Sequence, residues 1–505
     1  MIRPRIVALL GLAGGLDYAA QVLVPILLVR VLSAHDFGGY RLLWLAAQTC
    51  ANILSMSVAG LLVKQVPQQP PHRRGALFGN AFAYLAVTAL LAALVLSPLT
   101  PLVQRMYAGG AVDAWLPPLF SALWLVSLPL DYVALACQRP TDQALLSLGQ
   151  AVLRVGPVVA AALLLRSLTG VGLALIVLAA ARILAALIYA SRRSHLEGGR
   201  GLSLDADLAR LQLHDGLGFG AGFMLGNLRG QIDGWVAALR FDPVAVAVQG
   251  VALAAAPLIT VLRMTVTNAI GPGIAADVAA GRVDAAVAAN RRGNLMVAAL
   301  LFPVCGMLIA LAGPLLAFVF TARFSAAVLP FRIYVTGLLS VALETTTLAL
   351  ALGASALVLR QGAVLLPLAA AACYVGASVS RDPTLGLCGI AIGAAAVGWL
   401  SQIWNLVHVR RALGLAWAEF QAWGEMCALF LVNLGATLFT LAVMPAVPTS
   451  WPTVLQLLAG GGAYLAAALV PTLIWPHVWH VYRDLLGAAR ERRRPLPTPM
   501  SRPVP

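Results

Sequence analysis

Charged residues occur inside segments of this sequence that are otherwise apolar. A charge at the centre of a membrane helix costs about 2.5–3.5 kcal/mol on insertion scales, so residues of this kind are usually functional or paired. They are Asp17, Asp131, Arg154, Arg182, Arg229, Asp233, Arg263 and Glu344. Arg182 lies nearer the cytoplasmic end of its segment, where its side chain could extend toward the membrane surface, so it is a weaker candidate.

Three of these arginines have the chemistry of a phosphate site. Arginine presents a planar fork of N–H donors that matches two phosphate oxygens, and it stays charged at any physiological pH. Arg154, Arg229 and Arg263 would therefore suit a diphosphate headgroup if they converge on one cavity. A structural role is the alternative for each of them. Arg229 and Asp233 are four residues apart and could neutralise each other on one helical face.

The buried carboxylates have a second possible chemistry. A carboxylate inside the membrane can carry a proton or a sodium ion, as it does in many transporters. Asp17 and Glu344 are the candidates for ion coupling, and Asp233 is a further candidate cavity carboxylate. A hydrogen bond to a neighbouring helix is the alternative role.

Signals for metal, cofactor or enzymatic chemistry are missing from the sequence. The six cysteines all lie in apolar segments and form no Cys-x-x-Cys or Cys/His cluster, so the pattern favours neither a zinc site nor a disulfide framework. The glycines between Gly216 and Gly222 lack the preceding strand and the Lys-Ser/Thr pair of a phosphate loop, and are typical of close helix packing. No loop is long enough for a catalytic domain. We expect no enzyme activity, no metal and no cofactor.

Composition indicates the solvent of this protein. Of the 505 residues, 61% are hydrophobic and 10% are charged, and the mean hydropathy is +0.88. Lipid accepts such a chain, and within lipid only helices or closed barrels satisfy the backbone hydrogen bonds. Barrel strands alternate apolar and polar residues, whereas these segments are apolar on all sides. The predicted fold class is therefore an all-α polytopic membrane protein.

The number of spans follows from their length, because a helix needs about 20 residues to cross the hydrocarbon core. We predict about fourteen spans. They run roughly over residues 6–31, 41–63, 76–103, 115–138, 144–166, 168–190, 214–239, 244–270, 294–320, 329–352, 356–379, 385–408, 424–445 and 452–478.

The net charge of +15 comes from arginines that lie mainly between the apolar segments. With an even span count and the N-terminus inside, nearly all basic clusters fall on one side, and that bias indicates two cytoplasmic termini. No basic face interleaved with aromatic residues occurs, so nucleic acid is not the expected partner. Anionic lipid at the cytoplasmic surface is the expected partner of these arginines.

The longest internal loop divides the chain. We predict a six-helix bundle over residues 1–195, a connector helix over 196–213 that Ser203 would cap, and a second six-helix bundle over 214–411. Two additional helices over 412–480 and a basic, proline-rich tail over 481–505 follow. The motifs His72-Arg73-Arg74-Gly75 and Asn290-Arg291-Arg292-Gly293 occupy equivalent positions six helices apart, which indicates two repeats.

The end of the first span carries a family motif. The sequence Val31-Leu-Ser-Ala-His-Asp36-Phe37-Gly38-Gly-Tyr40-Arg41 resembles the same junction in the polysaccharide and O-antigen flippases, which belong to a superfamily that also contains multidrug exporters and lipid II flippases. Asp233, followed by Phe241-Asp-Pro243, is similar to the family's seventh helix. Ala247 and Gln249 depart from it, since glycine and tyrosine are usual there.

The resemblance implies a fold and an activity. The fold would be two six-helix bundles in a V-shaped arrangement around a cationic cavity. The activity would be movement of an undecaprenyl-diphosphate-linked oligosaccharide across a bacterial cytoplasmic membrane, with H⁺ or Na⁺ and polysaccharide assembly proteins as further candidate partners.

Three alternatives stay open. A cation-coupled multidrug exporter would favour acidic or aromatic cavities. A polytopic glycosyltransferase or O-antigen ligase would need a longer loop. A non-transporting scaffold would tolerate loss of the buried charges.

Overall fold

The computed structural model describes residues 4–100, 112–196, 201–476 and 478–483, without the side chains of residues 4–13, 217–219 and 223. This part of the chain contains helices and turns and no strand. From residue 484 onward, the predicted basic tail lies outside the described residues, as do residues 197–200 of the predicted connector.

The structure describes twenty-one α-helices in chain order. They are α1 Pro4–Val31, α2 Ala34–Leu54, α3 Val58–Gln68, α4 Pro71–Val95, α5 Leu116–Ser127, α6 Val133–Ala136, α7 Pro140–Leu165, α8 Leu168–Leu196, α9 Ala206–Arg229, α10 Ile232–Arg240, α11 Pro243–Ala252, α12 Ala256–Ala279, α13 Val283–Ala310, α14 Ala312–Phe320, α15 Val328–Leu338, α16 Thr346–Ala351, α17 Ser355–Ser378, α18 Pro383–Leu413, α19 Trp417–Phe420, α20 Trp423–Val443 and α21 Thr453–Ile474. Short 3₁₀ turns cover Leu128–Asp131, Ala322–Ala327, Leu339–Leu343 and Met444–Ala446.

Within the described residues, twelve helical segments are long and apolar enough to cross a membrane, or thirteen if the pair α2 and α3, bent by 42°, forms one span. The predicted helical class is confirmed, but the predicted count of fourteen is not. The predicted span 214–239 is not among them under either count. There α9 ends at Arg229, α10 begins at Ile232, and polar residues such as His214 and Asn227 lower the hydropathy of the segment.

Contacts group the chain into two compact units. The first contains Met1–Ala254, Val319–Tyr334 and Ser355–Val397, and the second contains Ala255–Phe318, Val335–Ala354 and Gly398–Pro505. In the first unit α1 packs along α7, α2 along α11 and α9 along α17. In the second unit α13 packs against both α12 and α20, and α20 packs against α21. The domain boundaries drawn from the sequence stay a prediction.

Helices α17 and α18 touch backbone to backbone at two glycines. A β-carbon on Gly376 would overlap the carbonyl group of Gly389, and a β-carbon on Gly389 would overlap that of Gly376. Small residues allow such close approach, which increases van der Waals contact between helices in lipid. The contact holds together part of the first unit.

We expect Gly389→Ala to lower the free energy of unfolding by about 1–3 kcal/mol, the usual cost of overpacking. Gly398→Ala is the matched control, because Gly398 lies in the same helix and has open space where a β-carbon would be. Alanine favours a helix over glycine by about 1 kcal/mol, so the control should melt at or slightly above the wild-type temperature. Thermal unfolding in detergent measures both, and equal melting temperatures would contradict the packing argument.

The segment before α9 is fixed to α4. Asp205, not the predicted Ser203, caps α9, because its side chain accepts hydrogen bonds from the N–H groups of Asp207 and Leu208. Asn80 donates to the Asp205 carbonyl at 2.8 Å and accepts from its N–H at 3.1 Å. The Arg73 guanidinium, 2.7 Å away, holds the pKa of the Asp205 carboxyl below its ordinary value. This segment is therefore fixed by specific polar contacts.

Candidate functional site

A cavity of about 590 Å³ lies among α1, α2, the region from α5 to α7, and α8 in the first unit. Its wall contains two arginines and two carboxylates among aromatic and amide side chains. The lining residues are Asp17, Gln21, Val24, Pro25, Tyr40, Arg41, Trp44, Leu45, Gln48, Trp124, Asp131, Tyr132, Leu135, Gln143, Ser147, Arg154 and Leu175. The cavity thus combines cations with the polar and aromatic groups that bind a hydrophilic ligand.

Arg154 and Asp17 form an ion pair in this wall. Packing of α1 along α7 brings the Arg154 Nη1 to 3.2 Å from the Asp17 Oδ1. Arg154 is 7% exposed, and its Nε and Nη1 form no hydrogen bond within the described residues. Gln21 Nε2 donates to the other Asp17 oxygen at 2.9 Å. Arg154 therefore lines the cavity as a buried guanidinium, and Asp17 balances its charge.

Arg182 belongs to a second ion pair beside the cavity. Its side chain is 2% exposed and does not extend to the surface of the protein. Its Nη2 lies 2.9 Å from Asp131 Oδ2, its Nε donates to Ser127 at 3.1 Å, and its Nη1 donates to Gln150. The guanidinium also stacks 4.6 Å from the centre of the Trp124 ring. These contacts use the donors of Arg182 and make it a structural residue.

Arg41 is a cavity cation that sequence reasoning missed. It lies in the first two turns of α2, where a β-carbon on Gly250 of α11 would lie 2.6 Å from its Nε. Asp233 and Tyr40 are its electrostatic neighbours. Because Arg41 stands at the predicted start of a span, it was not counted among the buried charges. Its position directly after the Asp36–Tyr40 motif was the signal that would have identified it.

Asp233 and Arg229 do not pair. Asp233 is 7% exposed, accepts a hydrogen bond from the Tyr334 hydroxyl at 2.9 Å, and accepts a second from the N–H of Gly234. Gln249 in turn donates to Tyr334 at 3.2 Å. Arg229 ends α9 before the break, is half-buried, and makes no ion pair within the described residues. The possibility that the two residues neutralise each other is therefore wrong.

Arg263 and Glu344 form an ion pair in the second unit. Arg263 Nη2 binds Glu344 Oε2, and Nη1 donates to Asn294 at 2.9 Å. Glu344 stands at a break between a 3₁₀ turn and α16, where its other oxygen accepts the Thr347 N–H at 3.2 Å. Asn294 continues the network to Gln421 at 3.4 Å. Each charge is thus neutralised by the other.

The predicted site residues consequently divide into separate groups. Arg154 and Asp17 line the cavity of the first unit. Arg229 and Asp233 belong to the same unit but do not line that cavity. Arg263 and Glu344 belong to the second unit. Within the described residues no cluster of His, Cys, Asp or Glu side chains is arranged to hold a metal ion. Convergence of the three arginines on one cavity stays a prediction.

Comparison with known proteins fixes the family. A profile described as "Polysaccharide biosynthesis protein" matches residues 5–272, which is more than half of the chain. The chain belongs to the polysaccharide biosynthesis protein family. The family predicted from the first junction is thereby confirmed. A search of the curated proteins gave no match.

Solved structures share the fold of this family member. The lipid II flippase MurJ, in an inward closed conformation, matches with a TM-score of 0.64 at 10% identity, over 95% of this chain and 100% of its own. An inward-facing multidrug resistance MATE transporter matches with a TM-score of 0.54 at 12% identity, over 79% and 96%. A mutant of the Vibrio cholerae MATE transporter VcmN matches with a TM-score of 0.52 at 14% identity, over 83% and 100%. With its apolar helices, this fold identifies a multi-pass membrane protein.

Proposed function

We propose that this protein is a flippase for a polyprenyl-diphosphate-linked oligosaccharide, most simply the undecaprenyl form. It would move the lipid from the cytoplasmic to the periplasmic leaflet of a bacterial cytoplasmic membrane by alternating access, for export of a surface polysaccharide. The buried Arg154 in the cavity wall is the observation that carries the proposal, because a guanidinium suits an anionic headgroup. Membership of the polysaccharide biosynthesis family supports the substrate class.

The diphosphate would bind Arg154 in competition with Asp17. A phosphate oxygen accepts charge-assisted hydrogen bonds from the guanidinium, and these are about twice as strong as neutral ones. Arg41 adds a second cation to the same wall. Because Asp17 neutralises Arg154 at 3.2 Å, the empty cavity carries no unpaired buried charge at that position. Proton or sodium binding to Asp17 would release Arg154 for the substrate, which would couple transport to an ion gradient.

The lipid tail would lie along the two additional helices. Between α20 and α21, an apolar groove of about 590 Å³ is lined by residues that include Leu431, Phe439, Ala467 and Val470. Hydrocarbon gains little from water exclusion inside a bilayer, so shape and small residues such as Gly435 would hold the tail. The sugar would occupy the polar cavity of the first unit.

Arg229 lies outside the cavity that Arg154 lines, and we propose that it contacts the headgroup after the lipid leaves that cavity, because it is half-buried and makes no ion pair within the described part of the chain. We expect Arg229→Ala to lower the rate of lipid-linked oligosaccharide movement in proteoliposomes about tenfold, the usual effect of losing one hydrogen bond to a charged group. Arg360→Ala is the control, because Arg360 is exposed in the same unit. Wild-type movement by Arg229→Ala, with normal yield and folding, would contradict this assignment.

Arg263 stays a weaker assignment, because Glu344 and Asn294 already occupy its Nη donors. The same pairing bears on the drug-exporter alternative. Cationic drugs would need a free acidic group, yet Asp17 and Glu344 each lie beside an arginine. Anionic lipids and polysaccharide assembly proteins are further proposed partners, and both termini are proposed to be cytoplasmic.

A further inference from the structure

Four polar side chains of the second unit are buried with hydrogen-bonding atoms that have no protein partner among the described residues. The amide of Asn290 is 1% exposed, and neither its oxygen nor its nitrogen is bonded in this way. The Thr345 hydroxyl, the Asn405 oxygen and the Gln421 nitrogen are likewise unbonded, in residues that are at most 3% exposed. Burying a polar atom without a hydrogen bond is costly, so four such side chains in one unit indicate a ligand.

These four residues, which we call the polar cluster, lie close together. Each is within three residues of a member of one buried apolar cluster in the second unit. The members concerned are Val287, Leu348, Leu406 and Phe420. Helix α13, which carries Asn290, packs against the 3₁₀ turn Leu339–Leu343 before Thr345 and against α16 after it. Packing of the second unit therefore brings the unbonded atoms to one place.

The polar cluster continues into the Arg263–Glu344 ion pair. Asn294 of α13 accepts a hydrogen bond from Arg263 Nη1 at 2.9 Å and donates one to Gln421 at 3.4 Å. Thr345 directly follows Glu344 in the chain. Arg263 Nε forms no hydrogen bond to the described part of the chain. Because a buried ion pair is stable only where further hydrogen bonds solvate it, the same ligand would serve the ion pair.

The kinds of unbonded atom identify the chemical class of the ligand. The nitrogens of Asn290, Gln421 and Arg263 are donors. The oxygens of Asn290 and Asn405 are acceptors, and the Thr345 hydroxyl can act as either. An anion would leave the amide oxygens unbonded, and a cation would be repelled by the nitrogens. Water both donates and accepts, and a buried water typically makes about three hydrogen bonds to such groups, so water fits this set of atoms.

A surface cleft of about 330 Å³ lies beside the polar cluster. Its lining includes Val287 and Arg291, which flank Asn290 along α13. It also includes Glu419, which comes two residues before Gln421 in the chain. The distribution of basic residues predicts that this side of the membrane is cytoplasmic. The cleft therefore offers solvent a short route to the polar cluster.

We propose that the polar cluster binds ordered water molecules, which enter through this cleft and bridge its four side chains. The waters also complete the hydrogen bonds of Arg263 in its pair with Glu344. They connect α12, α13, α18 and the linker before α20 through partners that rearrange more readily than protein groups. The inference concerns the second unit alone, and it does not depend on which lipid the protein moves.

Thr345→Val tests the proposal through the sign of its effect on thermal unfolding in detergent. Valine has nearly the shape of threonine but no hydroxyl. Where water bonds the Thr345 hydroxyl, the variant loses that bond, so we expect its melting temperature to fall by about 2–4 °C. A dry site gives the opposite sign, because valine then removes a buried hydroxyl that nothing satisfies. An unchanged or raised melting temperature would therefore overturn the proposal.

Thr440→Val is the matched control, because the buried Thr440 hydroxyl donates to the Ala436 carbonyl of its own helix at 2.8 Å. It should melt close to the wild-type temperature. Asn290→Leu removes two unbonded atoms at once and should lower the melting temperature as Thr345→Val does. The double variant Asn290→Leu/Thr345→Val should fall by less than the sum of the two single shifts, since both side chains bind the same waters. Additive shifts would overturn the shared water site.

Discussion

Arg154→Gln is expected to slow the movement of lipid-linked oligosaccharide in proteoliposomes by about 10- to 100-fold, which corresponds to loss of charged hydrogen bonds worth about 1.5–3 kcal/mol. The reason is geometric. Arg154 is almost fully buried and lines the cavity, and its Nε forms no hydrogen bond within the described residues. Glutamine keeps a polar side chain but loses both the fork and the charge.

Removal of Arg154 also leaves Asp17 without its cation, so a folding defect must be separated from a binding defect. The double variant Asp17→Asn/Arg154→Gln removes both charges and should fold like the wild type while still failing to move the lipid. Arg166→Gln, at the exposed end of the same helix, is the control and should transport normally. Wild-type transport by the double variant would show that Arg154 does not hold the headgroup.

Arg263→Leu is expected to lower the free energy of unfolding by about 3–5 kcal/mol, because it strands a buried carboxylate without its partner. The side chains of Arg263 and Glu344 are 8% and 14% exposed. Asn294 Oδ1 would also lose the hydrogen bond that it accepts from Arg263 Nη1 at 2.9 Å. Thermal unfolding of the purified protein in detergent measures the loss.

The double variant Arg263→Leu/Glu344→Gln separates the charge from the packing. Glutamine retains an oxygen for the Thr347 N–H, which Glu344 accepts in the wild type, but it carries no charge to be stranded. We expect it to recover most of the lost stability. Equal destabilisation of the single and double variants would mean that the pair contributes through shape and not through charge neutralisation.

Helix content and most spans could be predicted from the sequence, because a run of about 20 apolar residues has few other folds in lipid. The break between α9 and α10, at Gly230 and Gln231, could not be predicted from the sequence. Gln231 Oε1 accepts a hydrogen bond from the Thr49 hydroxyl at 2.7 Å, and Trp235 Nε1 donates to that Thr49 hydroxyl at 2.9 Å. These partners are about 180 residues away in sequence, so tertiary contact and not local pattern fixes where the helix ends.

The candidate site could be predicted in part. The cost of burying charge correctly drew attention to Arg154 and Asp17, but their pairing depends on how α1 packs along α7. For Arg182, the position along the helix did not predict the exposure of the side chain. Its distance along the helix suggested exposure, whereas Ser127, Gln150 and Asp131 hold it inside. Arg41 was missed because a span boundary was drawn at it, although its side chain lines the cavity.

Leaflet accessibility of a lipid-linked oligosaccharide in proteoliposomes tests the central claim most directly. The wild-type protein is compared with protein-free vesicles, using the diphosphate-linked oligosaccharide and a neutral glycolipid that carries the same sugar. The proposal predicts protein-dependent movement of the diphosphate lipid and little movement of the neutral one, since Arg154 would bind the diphosphate. No movement of any diphosphate-linked glycan by folded protein, or equal movement of both lipids, would contradict it.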